Sequence, residues 1–246
     1  MHGLILAGGE GTRLARDGIP GPKAMVEVAG RPLLFRLHDA LREAGCETVW
    51  CALRRSALGA LSSAGRSLPP GLRVVPCETP SSLHTLVEGL AHIPTGPVLC
   101  AMVDTVMPAE DWRRVGETAR SSSARAADGC IVVTGFVDDE RPLYVSLRPD
   151  GMVAAFGEEP STPVLVTGGV YLLGLRARAL ASPLLAVGVE RMRGYLGALA
   201  RLGHRLETVE VDRIVDVDRS SDLALASTWL ADGESPPQPI SRGAHP

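Results

Sequence analysis

The sequence predicts an α/β fold, three-layered around a mostly parallel sheet, with a smaller β-rich lobe in its second half. Three observations carry this. Apolar runs of strand length alternate with helical apolar stripes through residues 1–125, the pattern of β-α units feeding a parallel sheet. A glycine-rich turn follows the first run at Gly8. Beyond residue 126 short strand-like segments dominate, two of them joined by Asp150-Gly151, a hairpin pair.

Taken in order, His2–Ala7 reads as a buried strand entering the glycine loop. Pro32–Ala44 reads as an amphipathic helix, because Leu33, Leu34, Leu37, Ala40, Leu41 and Ala44 recur at helical spacing. Glu47–Leu53 is a strand, Ser56–Ala64 a short helix and Leu72–Pro76 a strand. Ser81–Ile93 starts on a serine and carries Leu83, Leu86, Val87 and Leu90 on one face, so it is a helix. Pro97–Val103 is an apolar strand that stops at Asp104, and Ala109–Arg120 is a helix. Cys130–Val137, Leu143–Leu147, Met152–Phe156 and Val164–Leu173 read as strands. Arg191–Leu202 is helical, Arg205–Val211 a strand, and Ser220–Ala231 a closing helix capped by Ser220 or Ser221. The expected organisation is one Rossmann-like domain over 1–232, in halves 1–125 and 126–232. A tail at 233–246, containing Ser-Pro-Pro-Gln-Pro, is expected to be disordered.

Composition narrows the function classes. The 246 residues can bury a large core, and 45% hydrophobic with 22% charged residues is ordinary for a globular protein. A formal charge of −3 gives no global basic field to recruit nucleic acid or anionic membrane. No apolar run approaches the ~18 residues of a membrane span, and the N-terminal stretch is too short for a signal peptide. The expected compartment is the cytoplasm, where Cys46, Cys51, Cys77, Cys100 and Cys130, scattered and without a C-x-x-C pair, remain free thiols. Of 25 basic side chains, only Lys23 is a lysine.

The strongest signal is Leu6-Ala7-Gly8-Gly9-Glu10-Gly11-Thr12-Arg13-Leu14, followed by Gly21-Pro22-Lys23. A glycine-rich turn after a strand exposes backbone N–H groups that can cradle phosphate oxygens. Arg13 offers a planar fork of donors suited to a β/γ-phosphate or departing pyrophosphate. Lys23 offers a mobile point charge for a phosphate whose charge changes during reaction. The dinucleotide pattern G-x-G-x-x-G fails at Leu14, and the P-loop's G-K-[ST] is absent.

The run from Leu6 to Leu33, including Pro22-Lys23 and Gly30-Arg31-Pro32-Leu33, resembles the sugar-phosphate nucleotidyltransferases, whose signature is L-A-G-G-x-G-T-R-L, then P-K and G-[KR]-P-L. The resemblance implies that Leu6, Ala7, Gly8, Gly9, Gly11 and Thr12 hold an NTP. It also implies that Arg13 engages its phosphates and Lys23 steadies the α-phosphate. Ser81 and Ser82, in Thr79-Pro80-Ser81-Ser82, lie where the family reads the nucleobase, here in altered form.

Phosphoryl transfer between anions needs a cation, and Mg²⁺ prefers carboxylate oxygens plus substrate phosphates. Asp104 ends an apolar strand, where a ligand belongs in an open α/β sheet. Ile214-Val215-Asp216-Val217-Asp218 resembles the family's D-V-x-T-P-E-D-L segment, which makes Asp216 the expected second metal ligand and Asp218 its alternate or helper. Glu158-Glu159-Pro160 and Val166-Thr167-Gly168-Gly169-Val170-Tyr171 resemble the family's V-E-K-P and V-N-[AT]-G-[IV]-Y segments. By resemblance Glu158, Thr167, Gly168 and Gly169 bind the acceptor, with Glu158 on sugar hydroxyls and Gly169 allowing close approach of the ring. Glu159 replaces the lysine that meets the acceptor phosphate, and Arg141, Arg176 and Arg191 are possible substitutes. The reading is a Mg²⁺-dependent transferase moving NMP from an NTP to a sugar 1-phosphate, with pyrophosphate leaving. The alternatives are phosphocholine, a polyol phosphate or a molybdopterin as acceptor, or an inactive nucleotide-sugar sensor. Neither nucleobase nor oligomeric state is legible.

Overall fold

The structure, a computed structural model, describes residues 1–138 and 141–232; the tail expected to be disordered lies outside them. The first half runs β1 (His2–Ala7), α1 (Thr12–Arg16), a 3-10 turn at Lys23–Met25, the short hairpin β2 (Glu27–Val28) and β3 (Arg31–Pro32), then α2 (Leu33–Glu43). It continues through β4 (Thr48–Arg54), α3 (Arg55–Ser63), β5 (Leu72–Cys77), α4 (Ser82–His92), β6 (Val98–Met102), β7 (Thr105–Val106) and α5 (Ala109–Ala124). The second half holds β8 (Gly129–Thr134), β9 (Tyr144–Leu147), β10 (Val153–Gly157), β11 (Val166–Leu173), α6 (Leu175–Ala179) and α7 (Ala181–Ala186). It closes with α8 (Met192–Arg201), β12 (Leu206–Glu210), β13 (Val215–Asp216) and α9 (Ser220–Asp232).

One nine-stranded sheet joins the halves, in the order β10-β9-β11-β6-β1-β4-β5, with β8 on β11 and β12 on β8. The β-rich half is therefore an extension of the first half's sheet. β6, β1, β4 and β5 are mutually parallel, whereas β11 runs antiparallel to β6 and β8. Side chains alternate across the sheet. Ile5 and Ala7 pack with Leu34, Leu37 and Trp112 from α2 and α5. Leu4 and Leu6 pack with Leu83, Leu86 and Leu196 from α4 and α8. Fully burying such a side chain contributes about 1.5–3 kcal/mol, so both helical layers hold the strands in one register.

Differences from expectation are local. β8 stops at Thr134, three residues before Val137, because its hydroxyl accepts the Phe136 N–H (3.0 Å) and donates to the Asp212 carbonyl (2.9 Å). α1, α6 and α7 are only five or six residues long, too short to show a periodic stripe. All five cysteines are free and buried. Burial pushes the Cys46 and Cys130 thiols up to about 12, so neither is a thiolate nucleophile near neutral pH.

Two helical glycines make opposite demands. On α5, a Cβ at Gly116 would lie 2.1 Å from the Ala44 carbonyl oxygen at the end of α2; at Gly59 in α3 it would meet nothing within 4 Å. Alanine is worth about 1 kcal/mol over glycine in a helix interior, so Gly59→Ala should raise the Tm slightly. At residue 116 that gain is opposed by overpacking of about 1–3 kcal/mol against backbone, so Gly116→Ala should lower it. Thermal unfolding followed by circular dichroism checks the opposite signs.

Candidate active site

Four parallel strands deliver their carboxyl ends to one cleft, the usual ligand edge of an open α/β sheet. Gly8 follows β1, Arg54 ends β4, Glu78 follows β5, and Asp104 comes two residues after β6. A cavity of about 610 Å³ lies among Gly8, Gly9, Arg54, Glu78, Ser81 and Ser82. A second cavity, of about 230 Å³, lies beside it among Gly11, Arg13, Lys23, Asp104 and Asp218, and the two share Leu6, Gly9, Thr12 and Met102. A two-part ligand, one part bulky and one part anionic, fits such a pair.

The glycines have separate reasons. A Cβ on Gly8 would come within 2.4 Å of the Thr85 hydroxyl, while one on Gly9 would meet nothing; Gly9 faces the open cleft. Gly11 holds a left-handed φ of 71° and caps the start of α1. Arg54, which sequence reasoning missed, clamps the loop from outside. It donates to the Gly8 carbonyl (2.9 Å) and to Glu10 (2.6 Å), with Glu78 at 3.3 Å.

Lys23 is only 7% exposed, and its ammonium donates to both Asp104 Oδ2 and Asp218 Oδ1. Arg13 Nη1 donates to the other Asp218 oxygen at 2.8 Å. Burial alone would lower the Lys23 pKa, but attraction and hydrogen bonds from Asp104 and Asp218 outweigh it and hold the group well above the ordinary value. The side chain is a fixed cation. Asp104 Oδ1 is buried and makes no hydrogen bond.

The carboxylate expected to join Asp104 was Asp216; the one that shares Lys23 with it is Asp218. β13 pairs with β7, Asp216 opposite Thr105, and the Thr105 hydroxyl lies 3.2 Å from Asp216 Oδ1 and 3.1 Å from the Gly168 carbonyl. Asp218 follows the ladder, where the Val217 N–H donates to the Asp104 carbonyl (3.0 Å). Asp222 Oδ2 accepts the N–H groups of Asp218 (3.0 Å) and Arg219 (2.7 Å), which fixes the backbone entering α9. Among the described residues no group of three or more His, Cys, Asp or Glu side chains could hold a metal by itself. The free oxygen of Asp104, with Asp218 nearby, fits a divalent ion whose remaining ligands are substrate phosphates and water.

Other expected residues lie around this centre. Ser81 and Ser82 line the larger cavity, but their hydroxyls are engaged: Ser81 with the Glu190 carbonyl and His84 Nδ1, Ser82 with the Met192 N–H (3.0 Å). Gly169 has a φ of 78°, and its Cβ would crowd Thr105 and Met102; one on Gly168 would strike Ile214. Packing thus demands this glycine pair, and Thr167 beside them is half-buried. Glu158 is 89% exposed, 3.8 Å from Arg193 Nη1. Arg193, also missed, donates to the Arg141 carbonyl at 2.9 Å. Of the expected substitutes for the lysine absent at Glu159, Arg176 is misplaced. It pairs with Asp128 (3.5 Å) beyond the far end of β11, because an antiparallel strand carries its successor away from the cleft.

A family profile described as MobA-like NTP transferase domain matches residues 3–157. The chain belongs to this family. Curated relatives of this NTP transferase domain include two nucleotidyltransferases named for sugar 1-phosphates. The bifunctional protein GlmU of Azorhizobium caulinodans is 29% identical over 92% of the chain and 52% of its own length. Glucose-1-phosphate thymidylyltransferase of Streptomyces griseus is 29% identical over 70% of the chain and 49% of its own. N-acetylmuramate alpha-1-phosphate uridylyltransferase of Caulobacter vibrioides is 29% identical over 69% and 73%. The chain spans about half the length of the first two. The inositol-1-phosphate CTP transferase of T. maritima shares the fold, with a TM-score of 0.72 at 14% identity over 95% of this chain and 97% of that one. No helix among the described residues is long and apolar enough to cross a membrane.

Arg54 holds the glycine loop of the NTP transferase domain without lying among the ionic groups of the smaller cavity. Hydrogen bonds from a charged group are worth about 1.5–3 kcal/mol, so Arg54→Ala should raise the KM for the NTP about tenfold or more and change kcat less. Steady-state pyrophosphate release measures both; an equal fall in kcat would place Arg54 on the reacting phosphates instead.

Proposed function

We propose that the domain transfers NMP from an NTP to a sugar 1-phosphate, releasing pyrophosphate and forming an NDP-sugar. The observation that carries this is the conjunction, in one cleft, of an open glycine loop, two cations and two carboxylates beside a cavity large enough for a nucleoside. The names of two relatives, glucose-1-phosphate thymidylyltransferase and N-acetylmuramate alpha-1-phosphate uridylyltransferase, each give a sugar 1-phosphate and support the acceptor class.

In this reading the backbone of Gly8, Gly9 and Gly11 cradles the NTP phosphates, with Leu6, Ala7 and Thr12 shaping the loop. Arg13, 43% exposed along its side chain, reaches the β/γ-phosphates that leave as pyrophosphate. Lys23 meets the negative charge that develops around the α-phosphorus as the acceptor oxygen attacks in line. Asp104 and Asp218 would hold Mg²⁺, which supplies charge neutralisation at the phosphates. Asp216 sits one step back, on Thr105. Residues Ser81 and Ser82 border the nucleobase, and Thr167, Gly168, Gly169 and Glu158 border the acceptor. A carboxylate at Glu159 repels a phosphate, so we assign the acceptor phosphate to Arg193, the arginine beside Glu158.

Pyrophosphate release with Mg²⁺ should be measured for each NTP and dTTP against sugar 1-phosphates, phosphocholine and polyol phosphates. One pair containing a sugar 1-phosphate should turn over, and Asp104→Ala should cost about a hundredfold or more. Turnover only with phosphocholine or a polyol phosphate would move the acceptor class; silence throughout, with nucleotide-sugar binding by thermal shift, would make the protein a sensor.

For the active pair, Arg193→Ala should raise the acceptor KM about tenfold or more, as loss of a charge-assisted contact implies, and leave the NTP KM unmoved. Equal changes in both would remove Arg193 from the acceptor phosphate.

A further inference from the structure

Lys23 occupies an unusual place before any substrate arrives. It is buried between two carboxylates, donating to Asp104 Oδ2 and Asp218 Oδ1, and Arg13 takes the remaining Asp218 oxygen at 2.8 Å. Two cations balance two anions, so the cluster is formally neutral. A divalent ion approaching it gains little Coulomb energy, and both oxygens of Asp218 are engaged. Among the four carboxylate oxygens, Asp104 Oδ1 has no hydrogen-bond partner. One oxygen falls well short of the six to eight that a hard divalent cation takes.

An NTP changes that balance. Its phosphates offer acceptor oxygens to Lys23 and Arg13 from the adjoining glycine loop, and Lys23's Cβ already lies 3.1 Å from the point where a Cβ on Gly11 would be. As the two side chains turn to the phosphates, the carboxylates lose their counter-ions.

We propose that Lys23 is the resident counter-ion of the metal site, holding Asp104 and Asp218 in the nucleotide-free protein and releasing them when NTP phosphates take its ammonium. Metal and nucleotide then load together, and each strengthens the other by the same factor, as linkage requires. This rests on the reading of Asp104 and Asp218 as metal carboxylates.

The test is Mn²⁺ binding to the nucleotide-free full chain, read from the free-ion EPR signal. Wild type should leave most Mn²⁺ free. Lys23→Met should bind Mn²⁺ about tenfold or more tighter, within the usual range of coupling between sites, and adding Asp104→Asn should abolish the gain. Lys23→Gln keeps a donor between the carboxylates without the charge; it should also tighten binding, and it decides the matter if circular dichroism shows the methionine variant unfolded. A folded Lys23 variant that binds Mn²⁺ no tighter than wild type overturns the proposal. If pyrophosphate release still depends on Asp104, only the counter-ion role falls; if that dependence is also absent, the metal reading falls with it.

Discussion

β1 lies between β4 and β6, parallel to both, so that Ala7 is level with Leu53 and Leu6 with Met102. Everything at the cleft depends on that register. A slip of one residue would exchange the faces of every β1 side chain, sending Leu4 and Leu6 toward the α2/α5 layer and Ile5 toward α4. Both cores oppose the slip at once. The same register sets where the four parallel strands end, and so places the glycine loop, Arg54, Glu78 and Asp104 around one space. The side chains of the cleft are held in place by apolar packing on both faces of the sheet.

Charge is handled in a second tier built on the first. Burying an ammonium is costly unless it is paired and hydrogen-bonded. Asp104 reaches Lys23 because β6 ends where it does; Asp218 reaches it because the β7–β13 ladder brings the chain back beside Asp104. Asp222 then caps the backbone at Asp218 and Arg219, so a helix start stabilises the position of a site carboxylate. Gly11 belongs to this tier as well as to the glycine loop, because a side chain there would crowd Lys23.

The fold was legible because β1, β4, β6 and their helices carry long, strongly periodic patterns, and the family motif lies within a continuous stretch. What escaped was non-local. Asp216 and Asp218 stand two residues apart in one segment; the pairing of Asp216 with Thr105 in β13 separates it from Asp218, which follows the strand. Arg54 and Glu78 belong to no motif, although reading the carboxyl ends of all four parallel strands, instead of β1 and β6 alone, would have found both. Arg176 and Arg193 look alike in sequence. The antiparallel course of β11 sends one beyond the far edge of the sheet, while α8 brings the other beside Glu158 and Arg141.

The course of α8 also joins the two halves of the chain. The start of α8 is joined to the start of α4 by hydrogen bonds: the Leu83 N–H to the Glu190 carbonyl (2.9 Å), the Met192 N–H to Ser82 Oγ (3.0 Å), and Ser81 Oγ to the Glu190 carbonyl. Glu190 and Met192 lie within three residues of Arg193, whose side chain points to Arg141 and Glu158. The segment at 81–83 and the start of α8, with Arg193 on it, are therefore tied to each other. The serines that replace the family's glycine-containing run at 81–82 are the hydroxyls that make two of these bonds. The helix that carries Arg193 is thus anchored, through these two hydroxyls, by the segment that departs from the motif.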